Sequence, residues 1–531
     1  MCSTYSYGTD NRISEIVFTN MNNRALHVTY TNNWGYTYGY FMQLPNGRVL
    51  RRRIERDQNR RLLIKEIETS INGTSLGVDT YSYDALTRPT TRNSDVFQYN
   101  AKGGVSSVII GTNVFTHTYD LVGNQLEHTL NSTTNHYQYN SMNQVLACTG
   151  VSTADYSYSD DGELTSDGKW YHVYDVESRL ISSTCVDLTN GATRVRNCYD
   201  YRHRRIGKTV EHYANGEWFA KEQRTFFYNG CRLTHEMVER IDGVETNLTE
   251  VQYFWGVDLS NNINGLGGAD GVGGLLAVSI DGSYYIPIAD NKGNILKYVD
   301  ENGVIVASCS YDDFGRMLAC TGSHANMFNL WSATKYFDRE TALYYYGYRF
   351  YSPEIRRWLT RDPLGEIDGT GNLYLFVKNN FIAYFDGLGL KICIIKHLPG
   401  EEPLGGWGDG GKNNAETHYR RPDISYQRIT YTNGKVRYKV SITPQTSFVD
   451  IYFKDVWARR ELMSDESDHL ELIQRCDAAI ELFKTKVEAI YDCPKPAAET
   501  LSKYLNELYS AYEEFDRLNN ELEKKGGKHG H

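Results

Sequence analysis

Two aspartates in one glycine-rich stretch carry the chemistry that this chain could perform on itself. Residues 360–390 read TRDPLGEIDGTGNLYLFVKNNFIAYFDGLGL, placing Asp362 before Pro363 and Asp386 before Gly387. Two carboxylates that share one proton can hydrolyse an amide. One takes a proton from water, the other gives one to the leaving nitrogen, and mutual repulsion splits their pKa values. The pair is 24 residues apart in the sequence, so only folding could bring it together. A plainer use exists for the same residues, because Asp before Pro or Gly often caps a turn through its side chain. Both uses stay open on the bare sequence.

The elements that must position these residues announce themselves as a repeat. Aligned on tyrosine, the chain gives YSYDALTRP from Tyr81, FQYNAKGGV from Phe97, HTYDLVGNQL from His117 and YQYNSMNQVL from Tyr137. The phrase returns in YSYSDDGELT from Tyr156, YHVYDVESRL from Tyr171, FFYNGCRLT from Phe226 and CSYDDFGRML from Cys309. Tyr83, Tyr99, Tyr119 and Tyr139 are separated by 16, 20 and 20 residues. Each unit reads as a hairpin: aromatic residues enter a turn, Asp or Asn caps it, Gly takes a positive φ, and the chain returns extended. One unit cannot bury its own apolar face, so the units must stack on a shared core in an all-β array.

Composition agrees. The 531 residues include 42 Tyr against 19 Phe, with 46 Gly and 11 Pro, which suits half-buried pleated surfaces. The formal net charge of −10, with no long Lys/Arg run, speaks against a nucleic-acid footprint. The basic stretch RVLRRRIERDQNRRLLIKE from Arg48 reads as a solvated strand face. No run of 18 apolar residues predicts a membrane span, and any export signal is expected outside this chain. The ten cysteines show no C-x-x-C spacing; Cys476 and Cys493 are the pair to watch for a bond.

These repeats resemble the YD repeats of bacterial RHS proteins, similar to the shells of teneurins and of insecticidal toxin complexes. The run YFDRETALYYYGYRFYSPEIRRWLTRDPLG, residues 336–365, resembles the RHS-associated core. The resemblance implies a mainly β fold, in which a spiralling YD-repeat sheet forms a shell over residues 1–300 and a core over 301–390 closes it. A small α+β domain is expected over 391–531. Members carry a first Asp-Pro-x-Gly, a Gly-x-Asn-Leu-Tyr phrase and a second Asp-Pro-x-Gly-Leu, after which the chain cuts itself. Here the resemblance implies a catalytic pair Asp362 and Asp386, an assisting Arg349, and a cleavage site at Leu390–Lys391. Three departures stand out: Arg356 where the family has Gly, Phe381 where it has Pro, and Gly387 in place of the second proline. Glycine loosens the chain where proline would preset it, so Asp386 is expected to be less firmly placed.

Beyond Leu390 the Tyr-Asp units stop. Residues 391–411 read as irregular, residues 425–444 as a hairpin turning at Asn433-Gly434, and two helical stretches follow. In the second, Leu501, Leu505, Leu508, Tyr512, Phe515, Leu518 and Leu522 make one apolar stripe suited to core packing. The first contains Asp465-Glu466-Ser467-Asp468-His469, which resembles the His-Glu-x-x-His of zincin peptidases with Asp in place of the first His. On a helix Asp465 and His469 share a face and could reach one zinc ion, with Glu466 as general base and His529, His531 or Asp516 as a third ligand. A charged, solvated helix face fits the same residues, and a degenerate peptidase is a further alternative.

Three functions follow as expectations. The first is an RHS-type toxin device that encloses or presents a C-terminal effector and frees it by aspartyl self-cleavage. It implies a cognate immunity protein, secretion machinery, and a secreted or cell-surface location after a cytoplasmic stage. The second is a surface adhesin whose tyrosines stack on carbohydrate, its C-terminal domain inactive or structural. The third is a C-terminal zinc metallopeptidase, the shell itself needing no cofactor.

Overall fold

The computed structural model describes residues 2–390 except for 8–12, 21–22, 34–35, 60–62, 243–244, 262, 264–268 and 366–370, together with strands Ile392–Ile394, Ile424–Thr430 and Val436–Ile442. Two compact units divide the chain, Met1–Pro399 and Gly400–His531. In the second unit Ile424–Thr430 pairs antiparallel with Val436–Ile442, in keeping with the hairpin reading; the Asn433-Gly434 turn lies outside the described residues.

The first unit is built from strands joined in strict chain order. One sheet runs through fifteen strands from Cys2–Tyr7 to Ala154–Asp155, and a second through fourteen from Ser157–Tyr158 to Met317–Thr321. Among the described strands of these two sheets each pairs antiparallel with its neighbour in sequence, as expected of a stack of hairpins. Alternation sets the faces: in Asn113–Tyr119, Phe115 and His117 are buried while their neighbours are exposed. The basic stretch from Arg48 behaves as a strand face, with Arg53 paired to Glu55, Glu66 and Glu68 on its own and the adjacent strand.

The repeat acquires a physical meaning at the tyrosine hydroxyl. Tyr119 donates to the Val105 carbonyl at 2.8 Å, Tyr139 to Gln125 at 2.9 Å, Tyr174 to Leu164 at 2.9 Å and Tyr311 to Ile295 at 2.6 Å. Each ring therefore fastens its hairpin to the one before it, at a net gain of about 1 kcal/mol per bond. The acidic partner closes the turn. Asp120 Oδ1 accepts from the Val122 and Asn124 amides at 3.0 and 2.8 Å, and Asn100 and Asn140 do the same in their own units. Gly123 has φ 86° in its turn, but Thr87, Asn143, Ser178 and His203 take the same left-handed position near 60°. That geometry costs an L-residue about 1–2 kcal/mol, so the capping side chain, more than the glycine, defines the unit.

Residues 336–365 and 371–386 bridge the two sheets. Asp338 accepts from Arg205 at 2.6 Å and Lys208 at 3.0 Å on the second sheet. Arg357 donates to Asn124 at 2.9 Å and to the Asn143 carbonyl at 2.6 Å on the first. Tyr346, Tyr351, Trp358 and Phe376 pack ring on ring in the core, with Tyr351 and Phe376 stacked at 3.8 Å. Among the described cysteines, Cys309 and Cys320 form a disulfide between facing strands, a bond the spacing had not indicated.

Candidate functional site

The glycine- and asparagine-rich stretch is a seam laid along the tips of the repeat turns. Asn380 donates to the Gly103 carbonyl at 2.7 Å, Asn379 to Gly123 at 2.7 Å, Asn372 to Val122 at 3.2 Å, and the Tyr374 hydroxyl to Gly162 at 2.8 Å. Small amide side chains suit this role because each supplies a donor to a turn carbonyl without needing room for bulk. The seam bends through Val377, Lys378 and Asn379, all with φ between 39° and 55°. Three consecutive left-handed residues are held only because the surrounding contacts over-determine them. From there the chain enters the strand Tyr384–Asp386.

Asp386 closes that strand with the turn construction of the repeats. Its Oδ1 accepts from the Leu388, Gly389 and Leu390 amides at 3.1, 2.7 and 3.2 Å. The chain then turns back, and Ile392–Ile394 pairs antiparallel with Tyr384–Asp386, in the register Asp386 opposite Ile392. This short strand corrects the expectation of irregular chain from residue 391, because three consecutive apolar residues can join an open strand edge. Leu390 thus sits in the loop of a tight hairpin; Lys391 lies outside the described residues.

Arg349 brings the second carboxylate to this loop. Its Nη2 donates to Asp362 Oδ2 at 2.7 Å and lies 3.8 Å from Asp386 Oδ2. The rest of the guanidinium is anchored to backbone, Nε donating to the Gly389 carbonyl at 2.5 Å and Nη1 to Leu373 at 3.3 Å. Its plane lies 4.2 Å from the Trp358 ring centroid. Asp362 also caps its own turn, accepting from the Leu364 amide at 2.9 Å. Capping and gathering are therefore both true of these aspartates. Each holds a turn with one oxygen and faces Arg349 with the other.

Two residues at the site carried no chemistry in the sequence reading. Lys335, buried, donates from Nζ to the Gly387 carbonyl, and burial pushes its ammonium down to about 8 against the opposing pull of Asp270 and Asp386. Asp270 lies against Gly387, and burial pushes its carboxyl up to about 7, opposed by Lys335 and Arg232 and reinforced by Asp258 and Asp386. The available signal was a lone lysine among the uncharged residues from Leu330 to Phe337, and an acidic residue in an otherwise glycine-rich stretch. A cavity of about 70 Å³ borders the loop, lined in part by Arg232, Asp270, Lys335, Tyr346 and Leu388.

Each departure from the family phrase has a partner. Arg356 keeps the left-handed φ of 58° that glycine would take and donates to Gln125 and Tyr137, both at 3.2 Å. Phe381 joins the core beside Phe376, and Lys292 donates to its carbonyl at 3.2 Å. Asp386 is 2% exposed and held by three amides, so the turn is tight without proline. Asp465, Glu466 and His469, with the two helical stretches, lie outside the described residues, as do Cys476 and Cys493.

A two-sheet stack of Tyr-Asp hairpins, sealed by a core that ends in an Asp-Arg-Asp cluster, defines a YD-repeat shell protein. The family model for the teneurin YD-shell matches residues 3–380, and the chain belongs to that family. It is 28% identical over 290 residues to the tRNA3(Ser)-specific nuclease WapA of Bacillus spizizenii, an alignment covering 53% of this chain and 11% of that protein. With toxin subunit YenC2 of Yersinia entomophaga it shares 35% identity over 95 residues, 17% of this chain and 10% of the relative. The fold matches the pore form of the Photorhabdus luminescens Tc holotoxin with a TM-score of 0.51 at 15% identity, covering 73% of this chain and 21% of that one. The matched region spans about a tenth of the length of each of these two relatives.

Proposed function

We propose that this shell presents the segment after Leu390 as a toxin effector and releases it by a single aspartyl self-cleavage at Leu390–Lys391. The observation that carries the reading is the convergence of Asp362 and Asp386 on one guanidinium nitrogen, with Asp386 bound to the Leu390 amide. In the reaction, water adds to the Leu390 carbonyl carbon while one carboxylate takes its proton. The other, which enters as the carboxylic acid, gives its proton to the Lys391 nitrogen as the C–N bond breaks, leaving a carboxylate on Leu390 and an amine on Lys391. Arg349 would hold the ionised carboxylate and orient the pair.

The named activities of the relatives, a nuclease and a toxin subunit, support an effector role for residues 391–531 and hence an immunity protein, a secretion or toxin-complex partner, and a secreted or cell-surface destination. Among the described residues no helix is long and apolar enough to cross a membrane. The tyrosine hydroxyls engaged between hairpins weigh against carbohydrate stacking as the main use of the repeats. Expression followed by a denaturing gel tests the reading: two fragments are expected from the wild type and one full-length band from Asp362→Asn. A single full-length band from both would overturn it.

A further inference from the structure

Gly387 is not in the left-handed region, so its backbone does not call for glycine. Space does. A Cβ built there would fall 2.5 Å from Asp270 Oδ2 and 2.9 Å from Asp270 Cβ, contacts too short for any side chain at position 387 unless Asp270 moves. The Gly387 carbonyl receives the Lys335 ammonium, and Lys335 is the strongest opposite charge acting on Asp270. Lys335 is itself fixed by the left-handed pair Ala333–Thr334, whose Thr334 hydroxyl donates to the Gly293 carbonyl at 2.7 Å and accepts from the Gly273 amide at 2.9 Å. The groups meet at Gly387, the residue that follows Asp386.

We propose that Asp270, Lys335 and Gly387 form a latch that positions the Asp386 loop for the self-cleavage proposed above, on which this inference rests. Lys335 grips the loop by its first carbonyl. Asp270 fills the space that a side chain at 387 would take, and its charge keeps the ammonium turned inward. Asp270 and Gly387 are therefore a matched pair, and both residues and Lys335 act through Asp386 rather than on the reacting atoms. Burial, which holds Asp270 near 7, supports a latch whose strength changes around neutral pH; the charged and titratable groups facing it are Lys335, Asp258, Asp386, Arg232 and the Cys231 thiol.

The test is a double-mutant cycle in the full chain, with Gly387→Ala, Asp270→Gly and the double variant compared for cleavage rate and thermal midpoint. Gly387→Ala is expected to slow cleavage at least tenfold, and the double variant to cleave at least threefold faster than Gly387→Ala yet below the wild type, because it restores the space but not the Asp270 charge. Lys335→Arg should retain more cleavage than Lys335→Met. The pH profile near 7 should flatten in Asp270→Asn. Wild-type cleavage by Gly387→Ala, or a double variant no faster than Gly387→Ala alone, overturns the latch. If the wild type stays whole at every pH, the self-cleavage reading fails, and the midpoints still decide the packing. Asp270→Gly must then offset the loss caused by Gly387→Ala, and simple addition of the two losses overturns the pair.

Discussion

Asp120 and Asp386 close turns of the same construction, one among the repeats and one at the end of the core. In both, Oδ1 accepts from backbone amides two and more residues ahead. They differ in what meets the second oxygen. Asp120 Oδ2 accepts from the Asn124 side chain of its own turn at 2.8 Å, and Asp84, Asp175 and Asp200 pair there with an arginine four residues on. Asp386 Oδ2 instead faces Arg349, which comes from a distant segment and already holds Asp362. A local partner leaves the carboxylate a cap. Asp290, a repeat cap, also meets a remote arginine, Arg92, which is shared with Asp95; what sets Asp386 apart is that its loop carries the bond proposed for cleavage.

The largest effect expected on that comparison comes from amide replacement. Asn caps the repeat turns at Asn100 and Asn140, so Asp386→Asn should keep its turn while losing the carboxylate. Cleavage is expected to fall at least ~100-fold with little change in stability. Asp120→Asn should alter neither by a measurable factor. Rates from timed gels and chemical denaturation of both variants would separate the two turns, and equal behaviour would erase the distinction.

Arg349→Met removes the cation but leaves the carboxylates and the Gly389 and Leu373 carbonyls without it. Breaking a buried pair from one side costs about 3–5 kcal/mol. Urea unfolding should show a loss of that order, together with loss of cleavage. The i+4 arginines of the repeats offer the contrast: Arg204→Met, at a pair less buried than Arg349 and its aspartates, should cost less than Arg349→Met.

A smaller, pH-dependent effect belongs to Asp270. Its folded-state pKa of about 7 stands above the ordinary 3.8, so the folded chain holds this proton more tightly than the unfolded one. The contribution is present below about pH 4 and is lost as pH rises to about 7. Asp270→Asn should therefore gain stability relative to wild type across that window, on the order of 2–4 kcal/mol at its upper end. Thermal midpoints measured from pH 4 to 8 check this; a constant difference would remove Asp270 from the linkage. Least of all, Tyr119→Phe should cost about 1 kcal/mol, the value of its bond to Val105, and leave cleavage untouched.

The repeat was legible because its unit is local: an aromatic, a capping Asp or Asn and a left-handed turn lie within about ten residues, and stacking follows from the apolar face they leave. The site was legible only as far as the resemblance reached. Asp362, Asp386 and Arg349 stand in a recognisable phrase, and the structure brings them together. Lys335 and Asp270 do not, because their role arises from packing between segments some 50 to 120 residues apart from Gly387 in sequence. Gly387 shows the same limit. Read alone it suggests a loosened turn, whereas in the fold it makes room for a neighbour that no local pattern names.

The most direct test of the central claim, that Asp386 closes a reactive turn, is N-terminal sequencing of the smaller fragment from wild-type chain beside the same preparation of Asp386→Asn. A fragment beginning Lys391-Ile392-Cys393 is expected from the wild type, and only full-length chain from the variant. A fragment that begins elsewhere, or one that persists in Asp386→Asn, would contradict it.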